Sequence, residues 1–551
     1  MKIYVTAMTS SLSFEDKLKR MIYLNHIDPH FYIGDPDKYQ LDMSLSRHDT
    51  MCQIIESDLR EFFFVLDIAN KDVNLPRRSI IFFILGKLIG TPELKPEQNQ
   101  KISAKITELI QSSEDLFNFV KYYTKWKPAS KIPSSVQKII RRFYTNKTPN
   151  ELANCVAEVQ GMYKWSHKDL IKLAHFKSDS PLKNTVINYI LTGKSSDKAS
   201  EEELKVLDKI KSSDELRKTK ESVDAVPILT THKFSIHQVP SSLQQNFDVW
   251  SAAIQNMSIS QILPYLLKLY KHSFLKSGST ISNYLLDLFT NPMQINNVYP
   301  MEVFIYMKRF EKGGKPMDVK LIQYLQEEKK LSEADLKKAQ SRPEIKCPHI
   351  VNALNKGFDL ACSNFVPTNK RYMVTIDVTA EAKRAHCIGS KFLSLQEAAV
   401  AFAIFLLRVE KDVIIATFKD DKIDLLSAGK KVSFMDLLKK VTEQKSAYSW
   451  LYSPVEWASS EKKHVDVFVN FIHNSYANKI PKEKNLTKAK YEPIVKYRSK
   501  VNLPNSKILN FAPAERNITL YGETPSNVLD ILGFDTMACR VAECFFRGAF
   551  S

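Results

Sequence analysis

Glycine is scarce in this sequence, and the shortage limits the reactions that the protein can catalyse. Only 14 of the 551 residues are glycine, well below the usual level of about 7%. Nucleotide-dependent enzymes place glycine where the backbone must approach a phosphate. No GxGxxG run occurs, and Gly193-Lys194-Ser195 lacks the earlier glycine that a P-loop requires. Since no GxSxG, HExxH or acid pair stands out either, the sequence predicts that the protein is not an enzyme.

The cysteines and the apolar runs exclude two further classes of protein. Seven cysteines are scattered along the chain without a CxxC pair, which predicts reduced thiols in the cytoplasm, or alternatively in the nucleus. The first residues, Met1–Lys17, contain no apolar core of a signal peptide. The longest apolar run, Ala398–Leu407, is about half the length of a membrane span. We therefore expect a buried helix there and no membrane partner.

Positive charge is abundant. Lysine and arginine number 79 against 61 acids, which gives a formal net charge of +18 and a pI of about 9.2. A surplus of this size favours polyanionic partners, either nucleic acid or an anionic membrane face. The length of the chain exceeds what one hydrophobic core can serve, so we expect two or more domains.

The residue pattern changes character once along the chain. From about residue 10 to about residue 355 it is helical, with proline and small polar clusters between the helices. This predicts an α-solenoid of HEAT-like helical repeats. After Pro367 strand patterns alternate with helical ones, which predicts an α/β domain with a mostly parallel sheet. The predicted domains are therefore residues 1–366 and 367–551.

One basic stripe is predicted on the run from Tyr163 to His175. Ser166 followed by Asp169 is typical of a capping box, so a helix should begin near His167. Lys168, Lys172 and His175 follow at spacings of four and three, which places them on one helix face. They are candidate RNA-binding residues. The alternative is a solvated lysine face without a ligand.

A second basic region, Phe117–Asn150, interleaves basic and aromatic residues and contains no acid. Such a mixture suits single-stranded RNA, because phosphates need charge and bases need a stacking partner. Lys138, Arg141 and Arg142 stand at i, i+3 and i+4 and are candidate RNA-binding residues of one exposed cluster. In the alternative interpretation the aromatics fill the core, which is the stronger interpretation for Phe143 and Tyr144.

Several motifs resemble those of the Ro autoantigen family, whose TROVE module binds Y RNAs. The run Trp165–Asp169 resembles its Trp-Ser-His-Lys-Asp signature. Further similar segments follow the family's order along the chain: Arg20–Leu24, Phe31–Ile33, Thr368–Arg371 and Gly533–Thr536. The resemblance implies a ring of helical repeats closed by a von Willebrand A domain, with an opening helix and a hairpin-like turn near the N-terminus. It also implies that Y RNAs bind outside the ring and single-stranded ends of misfolded small RNAs bind through its hole.

The resemblance also assigns positions on the RNA-binding surface. A family histidine at the position of His175 lies in that surface. Family members carry basic residues on the approach to the tryptophan, where this chain has Glu158 and Met162. One charge is thus reversed and another is absent, which lowers the expected affinity for Y RNA.

The family's A domain implies a metal site of the form Asp-x-Ser-x-Ser, with a distant threonine and a later aspartate. The corresponding candidate ligands here are Asp377, Thr379 and Ser449, while Glu381 replaces a hydroxyl and His473 replaces the later acid. Magnesium prefers hard oxygen ligands in tight octahedral geometry. We therefore expect no cofactor, magnesium included, and an Asp377 held by the adjacent helix N-terminus.

The sequence as a whole predicts a divergent, monomeric Ro-type protein. It would bind small noncoding, Y-like RNA and ends of misfolded small RNAs, meet protein partners through its A domain, and catalyse nothing. The main alternative is a protein-interaction scaffold that keeps the fold and has lost RNA recognition. A more remote alternative is a TROVE subunit of a larger ribonucleoprotein, such as the telomerase-associated proteins, which are usually much longer.

Overall fold

The computed structural model describes residues 13–33, 59–89, 91, 94–126, 132–314, 345–473, 492–515 and 527–551. Contacts divide the chain into two compact units. The sheet unit comprises residues 1–42, 74–76 and 258–551, and the helical unit comprises residues 43–73 and 77–257. The domain boundary predicted after residue 366 stays a prediction, because these units are defined by contacts and interleave along the chain.

Most of the described residues are helical. In chain order the α-helices are α1 (Phe14–Leu24), α2 (Leu59–Lys71), α3 (Ser79–Leu88), α4 (Pro96–Leu109), α5 (Ser113–Trp126), α6 (Ser134–Thr145), α7 (Pro149–Glu158), α8 (His167–Leu173), α9 (Pro181–Thr192), α10 (Glu201–Lys218), α11 (Ser222–His232), α12 (Phe247–Ala253), α13 (Ile259–Ile262), α14 (Leu266–Lys271), α15 (Thr280–Thr290), α16 (Pro292–Ile295), α17 (Pro300–Glu311), α18 (Pro348–Asn364), α19 (Ala380–Arg384), α20 (Leu395–Val409), α21 (Phe434–Glu443), α22 (Ser453–Ser460), α23 (Glu492–Lys500) and α24 (Thr536–Arg547). No helix in the described ranges is long and apolar enough to cross a membrane.

Helices of the helical unit pack mainly against near neighbours in the chain. Helix α3 packs on α5, α9 on α10, and α11 on α12. Each helix buries one apolar side in this way; in α6, for example, Val136, Ile139 and Ile140 are buried. Local packing of this kind is what stacked helical pairs require. The predicted helical-repeat class is confirmed.

The strands form one large sheet and one small hairpin. They are β1 (His30–Tyr32), β2 (Gly161–Met162), β3 (Trp165–Ser166), β4 (Arg371–Ile376), β5 (Asp412–Lys419), β6 (Lys422–Leu426), β7 (Val467–Phe471), β8 (Lys507–Ala512) and β9 (Val528–Leu532). The large sheet has the order β1-β9-β8-β7-β4-β5-β6. Its neighbours pair in parallel except for the antiparallel pair β5–β6. The predicted mostly parallel sheet is confirmed.

Helices cover both faces of this sheet. On one face Phe402 of α20 packs on Phe511 of β8, with ring centroids 5.2 Å apart. The apolar run predicted as a buried helix lies within α20, whose residues from Ala398 to Leu407 are all buried. On the other face Tyr497 of α23 packs edge-on against Phe468 of β7, with ring centroids 5.3 Å apart. Burial on both faces explains why the central strands carry apolar residues on both sides and do not alternate with polar ones.

The N-terminal segment Phe31–Ile33 contributes to this sheet and forms no hairpin-like turn, which corrects the expectation from the family resemblance. Strand β1 pairs in parallel with β9, with His30 opposite Asp530. The backbone N–H of Asp530 also donates to the carbonyl of Pro29 at 2.9 Å. A three-residue edge strand shows no alternation that sequence reasoning could detect, and its partner is about 500 residues away along the chain.

Polar side chains cross the interior of the sheet in one row. The amide of Asn470 donates to Asn510 at 3.0 Å, and the amide of Asn510 donates to Asp530 at 2.8 Å. The second carboxylate oxygen of Asp530 lies 3.6 Å from Nε2 of His30. Burial raises the pKa of Asp530 to about 7 and lowers the pKa of His30 to about 4. The edge strand β1 therefore meets β9 at a place where ionising either Asp530 or His30 would destabilise the fold.

The replacement Asp530→Asn should change how stability depends on pH. The folded protein holds a proton on Asp530 up to about pH 7, whereas the unfolded chain releases it near pH 3.9, about the model-peptide value. Ionisation of Asp530 therefore costs the wild type stability as pH rises through this window, a cost that the variant lacks. Relative to the wild type, the variant should gain about 1.4 kcal/mol in free energy of unfolding for each unit of the pKa shift. The measurement is denaturant titration of both proteins at several pH values.

The matched control is Asp466→Asn. Burial alone would raise the pKa of Asp466, but its bonds from Arg371 outweigh burial and lower it. This replacement should therefore show the opposite trend: as pH rises, the free energy of unfolding of the variant falls relative to that of the wild type. If Asp530→Asn and the wild type keep a constant difference across the range, Asp530 is not a buried neutral acid.

Candidate nucleic-acid interface

The basic run from Tyr163 to His175 begins with the capping box that its sequence predicts. The hydroxyl of Ser166 accepts from the backbone N–H of Asp169 at 3.2 Å, and the carboxylate of Asp169 accepts from the backbone N–H of Ser166 at 2.9 Å. Helix α8 starts at His167, as predicted. Leu170 and Ile171 are buried, whereas Lys168 and Lys172 are exposed. Both lysines therefore stand on the solvent side of an anchored helix.

His175 is not part of this helix, which corrects the prediction of a single helical stripe. Helix α8 ends at Leu173, and His175 adopts a left-handed conformation with φ 49°. Its backbone N–H donates to Lys172, and the N–H of buried Phe176 donates to Ile171, each at 3.1 Å. This is the Schellman pattern of a helix end, in which the left-handed position usually holds glycine. The absence of glycine hid this helix end from sequence reasoning.

Arg141 connects the second basic cluster to the turn that carries His175. Its Nε donates to the carbonyl of Ala174 at 2.7 Å, and a terminal nitrogen donates to Gln137 at 3.2 Å. Helix α6 therefore lies beside the end of α8, and Arg141 lies next to His175. Lys138 and Arg141 are exposed on α6, and Arg142 is half-buried. The structure brings Arg141 together with the α8 basic residues, which are remote from it in sequence.

The aromatic side chains of the second basic region that the structure describes belong to the core. Buried aromatic side chains of α5 and α6 are Phe117, Phe119, Tyr122, Tyr123, Phe143 and Tyr144. The interpretation of Phe143 and Tyr144 as core residues is confirmed. These rings give no stacking surface for bases, and the lysines and arginines between them form the exposed side of the two helices.

His167 anchors α8 to this aromatic core. Its Nδ1 lies 2.9 Å from the hydroxyl of Tyr144, and its ring meets the ring of Phe117 with centroids 5.0 Å apart. Burial lowers the pKa of His167 to about 4, so the ring is neutral near pH 7. A neutral ring can be buried without the desolvation cost of an imidazolium. His167 therefore fixes the position of the neighbouring lysines.

A tight hairpin precedes α8, and sequence reasoning missed it. Strand β2 pairs with β3, with Gly161 opposite Ser166. Tyr163 and Lys164 form its tip and both have positive φ, 54° and 70°. A Cβ on Gly161 would lie 2.5 Å from the carbonyl oxygen of Trp165, so only glycine fits there. The tip lacks the Asn-Gly pair that usually signals this turn.

Two residues at positions where the family resemblance implies basic side chains lie at or near this hairpin. Met162 is half-buried in β2, and Glu158 is the last residue of α7. The carboxylate of Glu158 lies 3.7 Å from the ammonium of Lys209 on α10. This lysine offsets the reversed charge in part, although exposed pairs of this kind contribute little energy.

Asp377, the first residue of the candidate metal site, follows the last residue of β4 and is buried. One carboxylate oxygen accepts from the backbone N–H of Thr379 at 2.9 Å, and the other accepts from the backbone N–H of His473 at 3.0 Å. Thr379 is the N-cap residue of α19. The carboxylate thus connects β4 to the start of α19 and to the segment after β7, as the predicted contact with a helix N-terminus requires.

These residues fit a magnesium ion poorly. Burial raises the pKa of Asp377, while the backbone N–H groups of Thr379 and His473 and the hydroxyls of Thr379 and Ser449 lower it in part. Nε2 of His473 lies 3.4 Å from a carboxylate oxygen of Glu515. Within the described ranges, no three His, Cys, Asp or Glu side chains cluster as metal ligands. Magnesium needs several hard oxygen ligands in octahedral geometry, and each oxygen of Asp377 already accepts one backbone N–H, which leaves fewer lone pairs for an ion.

Comparisons with known proteins point to one family. Residues 371–546 match the family model described as the Ro60 vWA domain. A Deinococcus radiodurans protein named RNA-binding protein RO60 is 21% identical over 420 residues, covering 74% of this chain and 71% of that protein. A Caenorhabditis elegans protein of the same name is 23% identical over 496 residues, covering 80% and 72%. The crystal structure of the Deinococcus radiodurans Ro (RSR) protein aligns with a TM-score of 0.79 at 18% identity, covering 98% of this chain and 100% of that one.

Magnesium should not stabilise this protein. A ligand at about 100 times its dissociation constant stabilises a folded protein by about 2.7 kcal/mol, which a thermal melt detects readily. We expect the Tm of EDTA-treated protein to be the same in magnesium chloride and in sodium chloride of equal ionic strength. A saturable rise in Tm that disappears in Asp377→Asn would show that the site binds the ion after all.

Proposed function

We propose that this chain, a divergent member of the Ro family, is an RNA-binding protein whose ligands are small noncoding RNAs of the Y type. The observation that carries the proposal is the exposed basic surface formed by Lys168, Lys172, His175 and Arg141, which we call the α8 surface. Its residues come from two helices and a turn that are fixed by buried contacts. Lysine and arginine side chains on such a surface position RNA phosphates.

The conformation of His175 supports a role beyond packing. The residue is exposed and has a positive φ, which costs a non-glycine residue roughly 1 kcal/mol. Strained positions of this kind often occur where function requires a particular side chain. An exposed imidazole beside lysines can stack on a base or donate to a phosphate.

Further parts of the proposal rest on the family likeness. We infer that single-stranded ends of misfolded small RNAs are a second ligand, which would give the protein a part in RNA quality control. We infer also that it acts as a cytoplasmic monomer without catalytic activity, with the nucleus as a second location. The described cysteines are free thiols, which fits a reducing compartment. Protein partners would bind the A domain.

A second candidate function is a protein-interaction scaffold that no longer binds RNA. Glu158 and Met162, at positions that are basic in the family, favour it, and so does the poor metal site at Asp377. The net charge of +18 opposes it. The two functions differ in one simple observable, because an RNA-binding protein purified from its own cells at low salt retains RNA and shows a raised 260/280 nm absorbance ratio.

The double variant Lys172→Ala/His175→Ala should weaken RNA binding several-fold without unfolding the protein. It removes one phosphate contact and one base or phosphate contact. The measurement is a salt titration of the affinity for a labelled Y-type RNA, followed by fluorescence anisotropy. On single strands the slope of log K against log salt becomes shallower by about 0.7 for each phosphate that the protein no longer neutralises.

The control for this experiment is Lys430→Ala/Lys431→Ala. Both lysines are exposed in the sheet unit. This variant therefore removes two positive charges and leaves the α8 surface unchanged. Its affinity and salt slope should stay close to those of the wild type. Equal losses of affinity in the two double variants would mean that net charge, and not the α8 surface, determines binding.

A further inference from the structure

The tip of the β2–β3 hairpin is an unusual place for the residues that occupy it. Tyr163 and Lys164 both have positive φ, a conformation that favours glycine, asparagine or aspartate. The register of Gly161 opposite Ser166 and the close approach of Gly161 to Trp165 force the chain into this tight turn. The hairpin therefore holds a bulky aromatic side chain where folding alone would prefer a small residue.

The ring of Tyr163 is exposed but is not loosely placed. Its exposed fraction is 44%, and the ammonium of Lys121 lies over the ring, 4.3 Å from its centroid. The same ammonium lies 4.8 Å from the ring centroid of Tyr122, which is buried. Lys121 thus connects the exposed ring to a ring of the core. Cation–π contacts of this kind hold the Tyr163 ring in a defined place while leaving much of its surface in water.

We propose that Tyr163 is a stacking platform for one unpaired base of a bound RNA, with Lys121 and Lys164 contacting the phosphates beside it. The inference rests on the proposed RNA binding and adds to it the kind of nucleotide that is recognised. A base within a duplex has both faces covered by its neighbours, whereas an unpaired base offers a face to an aromatic ring. Tyr163 therefore favours single-stranded segments over duplexes.

The position of the tip supports this assignment. Only three residues, Trp165 to His167, separate Lys164 from Lys168 of the α8 surface. A strand whose base stacks on Tyr163 can therefore continue along Lys168 and Lys172. Stacking tolerates every base, because each has a π face. The platform thus adds affinity for single strands in general and no preference for one sequence.

The test compares Tyr163→Leu with Tyr163→Phe. Leucine removes the aromatic ring and phenylalanine keeps it. The probes are a labelled short uridine oligomer and a blunt RNA duplex of equal length. We expect Tyr163→Leu to weaken oligomer binding about tenfold, within the range measured for single base–aromatic stacks, and to change duplex binding less than about twofold. Tyr163→Phe should bind both probes as the wild type does.

A matched control is Phe64→Leu. Among described side chains, Phe64 and Tyr163 are the exposed aromatic residues, and Phe64 is 61% exposed on α2. Its replacement should leave binding of both probes unchanged. Helical circular dichroism of all three variants reports whether the fold is kept.

The outcomes separate this inference from the proposed function. If the wild type binds the oligomer and Tyr163→Leu binds it equally well, the platform is wrong and the RNA-binding proposal stands. Equal losses of affinity for oligomer and duplex in Tyr163→Leu also overturn the platform, because a stack on an unpaired base cannot affect a duplex. If the wild type binds neither probe nor any Y-type RNA, both the proposed function and the platform fail.

Discussion

The candidate interface depends on one buried histidine. His167 lies against Phe117 of α5 and Tyr144 of α6, and it is the first residue of α8. Its burial lowers its pKa, so a neutral ring joins three helices through a polar contact that carries no charge. The lysines that follow it project outward because this residue projects inward. A charged surface is thus attached to an apolar core without burying a charge, which would be costly.

The sheet unit uses buried polar groups in a comparable way. Asp377, which the family resemblance assigns to a metal site, instead accepts from the backbone N–H groups of Thr379 and His473. Asp530 ends a row of side-chain hydrogen bonds and lies 3.6 Å from His30 of the edge strand β1. Each acid connects segments that are far apart in sequence. Hydrogen bonds from the backbone thus account for the buried position of Asp377 in the sheet unit.

Sequence reasoning succeeded where the signal is local and periodic. The capping box at Ser166, the buried helix α20 and the mostly parallel sheet after Pro367 are confirmed, since each is signalled by residue patterns within short windows. The failures share a different cause. Strand β1 is recognisable only through its distant partner β9, and the left-handed positions at Tyr163 and His175 carry no glycine to mark them. The contact of Arg141 with the end of α8 arises from packing alone.

The central claim is that RNA binds where the hairpin, α6 and α8 meet. It is tested most directly by ultraviolet crosslinking in the protein's own cells, followed by mass spectrometry of the peptides that remain linked to RNA. The account predicts that linked peptides come mainly from the helical unit and include the segment from Lys121 to Lys177, with Tyr163 among the linked residues. Linked peptides confined to the sheet unit, or no linked peptides above background, would contradict it.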